Sequence, residues 1–313
     1  MARQMPTKQR PAPKKKTPAR GGRPAGLFTW IAVGLVVVVV VALVIIKVAS
    51  GGGTATPGKT TFVPVSSAVL TELTTVPTSV FNSVGITSPI AAVTPPQSVA
   101  KLPALTATDA SGKTVPEVLY MGGEYCPYCA AQRWSTIVAL SRFGTWSGLG
   151  NMSSYSGDIY PNTPTFTFVD AKYASKYLVF KSVELYTNYI DPTTQYYAKL
   201  QTPTTQEEKE ITTYDTSKYI KGLTSAQNGS IPFITFDNKF LVAGASYSPT
   251  TLAGSSRDSI AAALDNATSP VTQAIVASAN YQTAAICTLT NQQPGNVCTS
   301  SGVMAAAKAM GIK

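Results

Sequence analysis

Gly122-Gly123-Glu124-Tyr125-Cys126-Pro127-Tyr128-Cys129-Ala130-Ala131-Gln132-Arg133-Trp134 carries more functional information than the rest of the chain. The apolar run Val118-Leu119-Tyr120-Met121 precedes it, and an amphipathic stretch from about Ala130 to Phe143 follows. That order predicts a buried strand, a turn and a helix, with a Cys-x-x-Cys at the junction. A thiol at a helix N-terminus meets unpaired amide groups and the positive end of the helix dipole, and both favour its thiolate. The thiolate is the nucleophile in thiol–disulfide exchange, so this placement tunes reactivity directly. Pro127 suits the first helical turn, where its missing N–H had no partner. Cys129, one turn further in, is placed as the resolving thiol.

The competing use of Cys-x-x-Cys is half of a zinc site. The chain has no histidine, and ten residues separate Cys287 from Cys298. Zinc ligands usually lie about two to four residues apart within a pair, so the redox reading is preferred. No metal and no cofactor are expected.

Glu124-Tyr125-Cys126-Pro127-Tyr128-Cys129 resembles the active-site segment of the thioredoxin superfamily, and Cys-Pro-Tyr-Cys is the tetrapeptide typical of glutaredoxins. The resemblance implies a cis-proline far downstream that faces the two cysteines and opens a core strand. Gly229-Ser230-Ile231-Pro232-Phe233-Ile234-Thr235-Phe236 fits that role, so the Ile231–Pro232 bond is expected to be cis. A second strand, Lys239 to Ala243, follows the Asp237-Asn238 turn, and a helix from about Pro249 to Leu264 completes the order. The resemblance covers roughly Leu102 to Asn266. With the anchor described below, the whole chain is similar to a family of anchored thioredoxin-like proteins, domain of unknown function 929. The implied fold class is α/β, thioredoxin-like, with an insertion between the active-site helix and the cis-proline strand. Catalysis falls to Cys126 and Cys129, with Glu124, Tyr125, Pro127, Tyr128, Ile231 and Pro232 as active-site support.

Two departures from that pattern stand out. Thioredoxins carry a buried acid six residues before the first cysteine, and Tyr120 occupies that place here. Glu117 lies in the same strand but three positions earlier, on the opposite face if side chains alternate. Proton transfer from Cys129 is therefore open between Glu117, Glu124 and water. The second departure is length: 102 residues lie between Cys129 and Pro232, which calls for an insertion at about 144–227.

The N-terminus sets the expected location. Residues 1–26 hold eight basic residues and no acid, and Leu27 to Ile46 is an uncharged, valine-rich run of twenty. At about 1.5 Å per residue that run spans a hydrocarbon core of roughly 30 Å. It is too long for the apolar region of a signal peptide, about 7–15 residues. A single transmembrane anchor at 27–48 is expected, with its basic flank in the cytoplasm and the rest of the chain outside. The formal charge of +10 then loses its force as a nucleic-acid signal, because beyond the tail 17 basic residues face 15 acidic ones. Lys14-Lys15-Lys16 reads as a topology signal that touches anionic lipid.

The remaining segments divide as follows. Residues 49–100 form a stalk and then an arm, in which Ser67 to Thr74 and Thr78 to Val84 read as short capped helices, although a disordered linker is also consistent with this composition. The thioredoxin-like domain spans 101–268, opening with a hairpin around Ala110-Ser111-Gly112. Within the insertion, Gly144 to Pro164 reads as loop, Thr165 to Asp170 and Tyr177 to Tyr189 as strands, and Glu207 to Lys221 as a helix. Tyrosines crowd residues 155–219, as edge packing or as a client-binding surface. An extension at 269–313 holds a helix, Pro270 to Ala285, then Cys287 and Cys298, then a short helix, Gly302 to Met310. A structural disulfide is expected for this pair, worth roughly 3 kcal/mol for so short a loop. The alternative is a second redox pair that shuttles electrons to the first.

The expected function is a membrane-anchored, extracytoplasmic thiol–disulfide oxidoreductase. Its partners would be protein substrates with thiols or disulfides, a membrane redox partner and the lipid bilayer, with no nucleic acid. The alternative is a non-catalytic thioredoxin-like binding module of a cell-envelope complex, in which Cys126–Cys129 is a static disulfide.

Overall fold

The computed structural model describes residues 62–89 and 92–312. The expected anchor at 27–48 and its basic tail lie outside the described residues. The described part is mixed α/β, built on one six-stranded sheet. Its strands are β1 (Gln97–Ser98), β2 (Thr106–Thr108), β3 (Thr114–Gly122), β4 (Val179–Glu184), β5 (Phe233–Phe236) and β6 (Phe240–Ala243). β3 is central. It pairs antiparallel with β5 along one side, Met121 opposite Phe233, and parallel with β4 along the other, Gly122 opposite Glu184. β5 continues antiparallel to β6, β6 to β1, and β2 pairs antiparallel with the start of β3.

β3 is buried on both faces, which is why it reads as an unbroken apolar run. Val118 and Tyr120 face one hydrophobic cluster, whereas Leu119 and Met121 face the other. The first cluster lies under helices α1 (Ser67–Thr74), α2 (Thr78–Val84), α3 (Pro127–Leu140), α4 (Arg257–Ala263), α5 (Pro270–Leu289) and α6 (Ser301–Ala309). The second lies under residues 205–223, through Ile211, Tyr214 and Ile220. The β5–β6 turn places Asp237 and Asn238 at φ 51° and 53°, and Lys239 N–H closes it on Phe236 C=O at 2.9 Å. Asn and Asp tolerate that conformation better than other non-glycine residues.

Several local expectations need correcting. α3 is not amphipathic: from Cys129 to Leu140 every side chain is buried. Its polar residues find buried partners instead, with Thr136 Oγ1 donating to Gln282 Oε1 of α5 at 3.0 Å and Gln282 Nε2 donating to Ser135 Oγ at 3.0 Å. The small residues of α5, among them Ala274, Ala277 and Ser278, allow the two helices to approach closely. Gly144 to Pro164 is not all loop, because it contains the short strands Thr145–Ser147 and Gly150–Ser153. Tyr177 to Tyr189 is two strands, β4 and Tyr186–Ile190, broken at Leu185 as the chain leaves the sheet to pair with Tyr197–Lys199. β4, in the long interval between α3 and β5, is itself a member of the six-stranded sheet. Glu207 to Lys221 is not one helix. A capped α-turn, Thr205–Lys209, widens into a π-turn, Glu210–Tyr214, that lays Ile211 and Tyr214 on the sheet, and then gives way to turns that add Ile220. The helix expected at Pro249 to Leu264 divides into a 3-10 turn, Pro249–Leu252, and α4; Gly254 at φ 73° interrupts it and Ser256 caps the restart.

The arm packs on the helical layer: Val69, Leu73, Val80, Phe81 and Val84 are all buried. Asn280 of α5 holds it from below, its amide nitrogen donating to Phe81 C=O at 2.9 Å and Gly85 C=O at 2.7 Å. Cys287, in the last turns of α5, is joined by a disulfide to Cys298, at the end of a short helix at Gly295–Cys298.

Candidate dithiol site

β3 delivers the chain to the site and Gly122-Gly123 turns it. A side chain at Gly123 would press on the Tyr125 ring at 2.9 Å and on Ile231 Cδ1 at 3.2 Å, so this turn accepts only glycine without adjustment. Cys126 is then the N-cap of α3, with extended backbone (φ −78°, ψ 120°) and Pro127 in the first helical turn. Its sulfur takes the role of a capping oxygen, accepting the Cys129 N–H at 3.3 Å. Both thiols are free and buried. Across the sheet the Ile231–Pro232 bond is cis, and the Cys126 thiol donates to the Ile231 carbonyl at 3.9 Å, a sulfur-length contact. Residues 105 positions apart therefore meet, because β5 pairs with β3 just beyond the turn.

The two thiols differ in acidity. Burial opposes the Cys126 thiolate, but hydrogen bonds from the Cys129 thiol and amide, the Arg133 charge and the Tyr128 amide outweigh it and hold its pKa below the ordinary thiol value. Burial pushes Cys129 well above that value, reinforced by its hydrogen bond to Cys126 and by the charge on it. One cysteine is thus prepared to ionise while the other keeps its proton, the division a nucleophile and a resolving thiol require.

Two charged residues beside the dithiol were absent from the sequence reading. Arg133, one helical turn beyond Cys129, is fully buried and pairs with Glu184 at the end of β4. Its Nε donates to Glu184 Oε1 at 2.9 Å and its Nη2 to Glu184 Oε2 at 2.6 Å. Nη2 also donates to Gly123 C=O at 2.9 Å, in the turn that carries Cys126. The spacing from Cys129 to Arg133 was visible in the sequence, but only the β3–β4 pairing reveals Glu184.

Among the acids considered for proton transfer, Glu117 is separated from the site. It lies five residues before Gly122, on the face of β3 away from α3, and pairs with Lys181 at 2.8 Å. Five strand residues span about 17 Å. Glu124 is buried beside the dithiol and accepts from Thr167 Oγ1 at 2.7 Å. Burial raises its pKa against that hydrogen bond, with the Glu184 charge adding to the effect. Tyr120, six residues before Cys126, is fully buried beneath the Arg133 guanidinium, 5.7 Å from the centre of its ring.

The tyrosines form a half-buried rim. Tyr125 stacks on Tyr197 at 3.9 Å and meets Tyr186 edge-on, Tyr155 meets Tyr197 edge-on, and Tyr128 meets Tyr160 edge-on. These contacts fasten the 155–160 loop and the Tyr186–Lys199 hairpin to the Cys-x-x-Cys turn. Pro232 is buried and Ile231 half-buried at the same place. Cys287 and Cys298 are bonded to each other, whereas Cys126 and Cys129 are free. Among the described residues no group of three His, Cys, Asp or Glu side chains is placed to hold a metal ion.

A family model described as domain of unknown function (DUF929) matches residues 102–288, more than half of the chain. The chain belongs to this family. The match runs from just before β2 into the last turns of α5, and so takes in Cys126, Cys129, Arg133, Glu184 and Pro232. No curated protein and no solved structure matches the chain.

Proposed function

We propose that this DUF929 protein is a membrane-anchored, extracytoplasmic thiol–disulfide oxidoreductase of thioredoxin-like fold. The observation that carries the reading is the pairing of a thiolate-favouring Cys126 with a proton-retaining Cys129 at the start of α3, against the carbonyl that precedes a cis-proline. The strand order supports the fold assignment: a parallel neighbour, the cysteine strand, the antiparallel proline strand and its hairpin partner. The apolar run from Leu27 to Ile46 supports the anchor.

The Cys126 thiolate attacks a disulfide of a protein client. The client S–S bond breaks, a Cys126–client disulfide forms and one client thiolate leaves. Cys129 then gives up its proton, to Glu124 or water, and attacks the Cys126 sulfur. The Cys126–Cys129 disulfide forms, the second client thiolate leaves and takes up a proton, and two electrons have passed to the client. The reverse sequence oxidises a client dithiol, and a membrane redox partner resets the pair in either case. The Ile231 backbone borders the sulfurs and offers an extended client segment a place to pair as an added strand.

The test is Cys129→Ser, which should hold clients as mixed disulfides at Cys126 that are absent in Cys126→Ser/Cys129→Ser. Equal trapping by the two variants would remove the nucleophile assignment. A Cys126–Cys129 disulfide with a potential below about −300 mV, in the range of structural disulfides, would favour the non-catalytic binding module instead.

A further inference from the structure

A buried ion pair contributes little to stability as such, because taking both charges out of water offsets most of their attraction, and well-packed apolar residues often serve as well. The Arg133–Glu184 pair has no exposure at either side chain, and Arg133 Nη1 has no hydrogen-bond partner among the described residues. Such an arrangement is an expensive way to join a helix to a strand. Its position offers another use. Arg133 lies four residues after Cys129 on the same helix, so the two share a face, and its Nη2 is fixed to the Gly123 carbonyl in the turn that carries Cys126. Burial holds the neighbouring Tyr120 hydroxyl in its protonated, uncharged form, so it does not neutralise the charge.

We propose, resting on the exchange reading above, that Arg133 is a positioning residue whose buried charge stabilises the Cys126 thiolate, while Glu184 sets how much of that charge the dithiol feels. Stabilising the thiolate stabilises the reduced form and makes the disulfide the stronger oxidant. Consistent with this, Arg133 acts on Cys126 in the direction that favours ionisation and opposes the upward shift of Cys129. Glu184 is the brake. It holds the guanidinium in place and cancels part of its field.

Three variants of the full chain test this: Glu184→Gln, Arg133→Met/Glu184→Leu and Arg133→Lys. The first keeps a hydrogen-bond acceptor and removes the opposing charge; the second removes both charges and fills the space. Two readouts are needed. One is the pH dependence of Cys126 alkylation by iodoacetamide, followed by mass spectrometry. The other is the equilibrium in which the Cys126–Cys129 disulfide plus two glutathione gives the dithiol plus glutathione disulfide.

Glu184→Gln should lower the Cys126 pKa and move the equilibrium toward the dithiol by about tenfold, equivalent to about 30 mV. Arg133→Met/Glu184→Leu should move both readouts the opposite way by a similar factor, and Arg133→Lys should stay near the parent. A purely structural pair would alter melting without producing opposite shifts. Folded variants whose alkylation profiles coincide with the parent, or shift in the same direction, would overturn the proposal. If either charge-removing variant fails to fold, the other is decisive against the parent. If both fail, an Arg133→Lys profile displaced from the parent by tenfold would overturn it. Alkylation does not depend on clients, so opposite shifts without client trapping by Cys129→Ser would sink the exchange reading alone.

Discussion

Asp215 ends the π-turn on the far face of the sheet, and its side chain is fully buried. Among the described residues, neither carboxyl oxygen has a hydrogen-bond partner of good geometry. Burial raises its pKa from 3.8 to about 8, with the Ser230 amide offsetting only part of the effect. The folded protein therefore holds a proton there at neutral pH, whereas the unfolded chain has released it. The associated stability is fully present below about pH 4 and is lost as the pH rises through about 8. Each pH unit in that window costs about 1.4 kcal/mol, so the whole interval amounts to roughly 5 to 6 kcal/mol, an upper bound if water reaches the carboxylate. That is comparable to the entire stability of many domains, about 5–15 kcal/mol. Asp215→Asn keeps the shape of the neutral acid and removes the ionisation. Urea unfolding of both proteins between pH 4 and 9, followed by tryptophan fluorescence, should show similar stability near pH 4 and a gap that widens in favour of the amide variant up to pH 8. Glu117, Glu124 and Glu210 also have raised pKa values, chiefly through burial, but they contribute equally to both proteins. Parallel curves across the range would refute the reasoning.

Glu124→Gln should slow resolution of the mixed disulfide about a hundredfold, the low end of a general acid–base contribution; unchanged decay of a preformed mixed disulfide in rapid quench would exclude Glu124 from the proton path. Replacing Cys287 and Cys298 together by alanine should cost about 3 kcal/mol in urea unfolding through loop entropy, while leaving the glutathione equilibrium of Cys126–Cys129 unchanged. A shifted equilibrium would instead revive the electron shuttle. Gly302→Ala should cost about 1–3 kcal/mol, because its Cβ would collide with the Phe81 carbonyl oxygen and crowd the Asn280 amide at 2.8 Å; a melting temperature equal to the parent would show that the arm gives way freely.

Much of the site could be read in the sequence because it depends on short-range order. A strand, two glycines and a Cys-Pro-Tyr-Cys determine where Cys126 sits, and Pro232 is marked by the Gly-Ser turn before it and the apolar strand after it. The helices of the arm were less legible: Ser66 caps the first, but the second starts after Pro77 with no side-chain cap, and the composition was also consistent with a disordered linker. What stayed hidden depends on distant partners. Gln132, Arg133, Ser135 and Thr136 give α3 a polar side that reads as solvent-facing, and it takes α5, Glu184 and the Ser246 amide to show why it is buried. Residues 205–223 misled for a related reason. Their helical spacing is real, but the need to lay Ile211, Tyr214 and Ile220 on a twisted sheet outweighs regular hydrogen bonding.

The enclosure of α3 by α5 has a consequence for how the molecule is made. Cys126 precedes Cys287 by 161 positions, so in N-to-C synthesis it leaves the ribosome long before the helix that will pack on its own. Until α5 arrives, the polar side of α3 that Gln282 satisfies has no cover, the hazard that attends folding of larger chains through incomplete states. The helix that begins at Cys126 should thus be among the last elements to find all its partners. A chaperone that shields residues 127–140 during that interval would protect the chemistry as much as the fold.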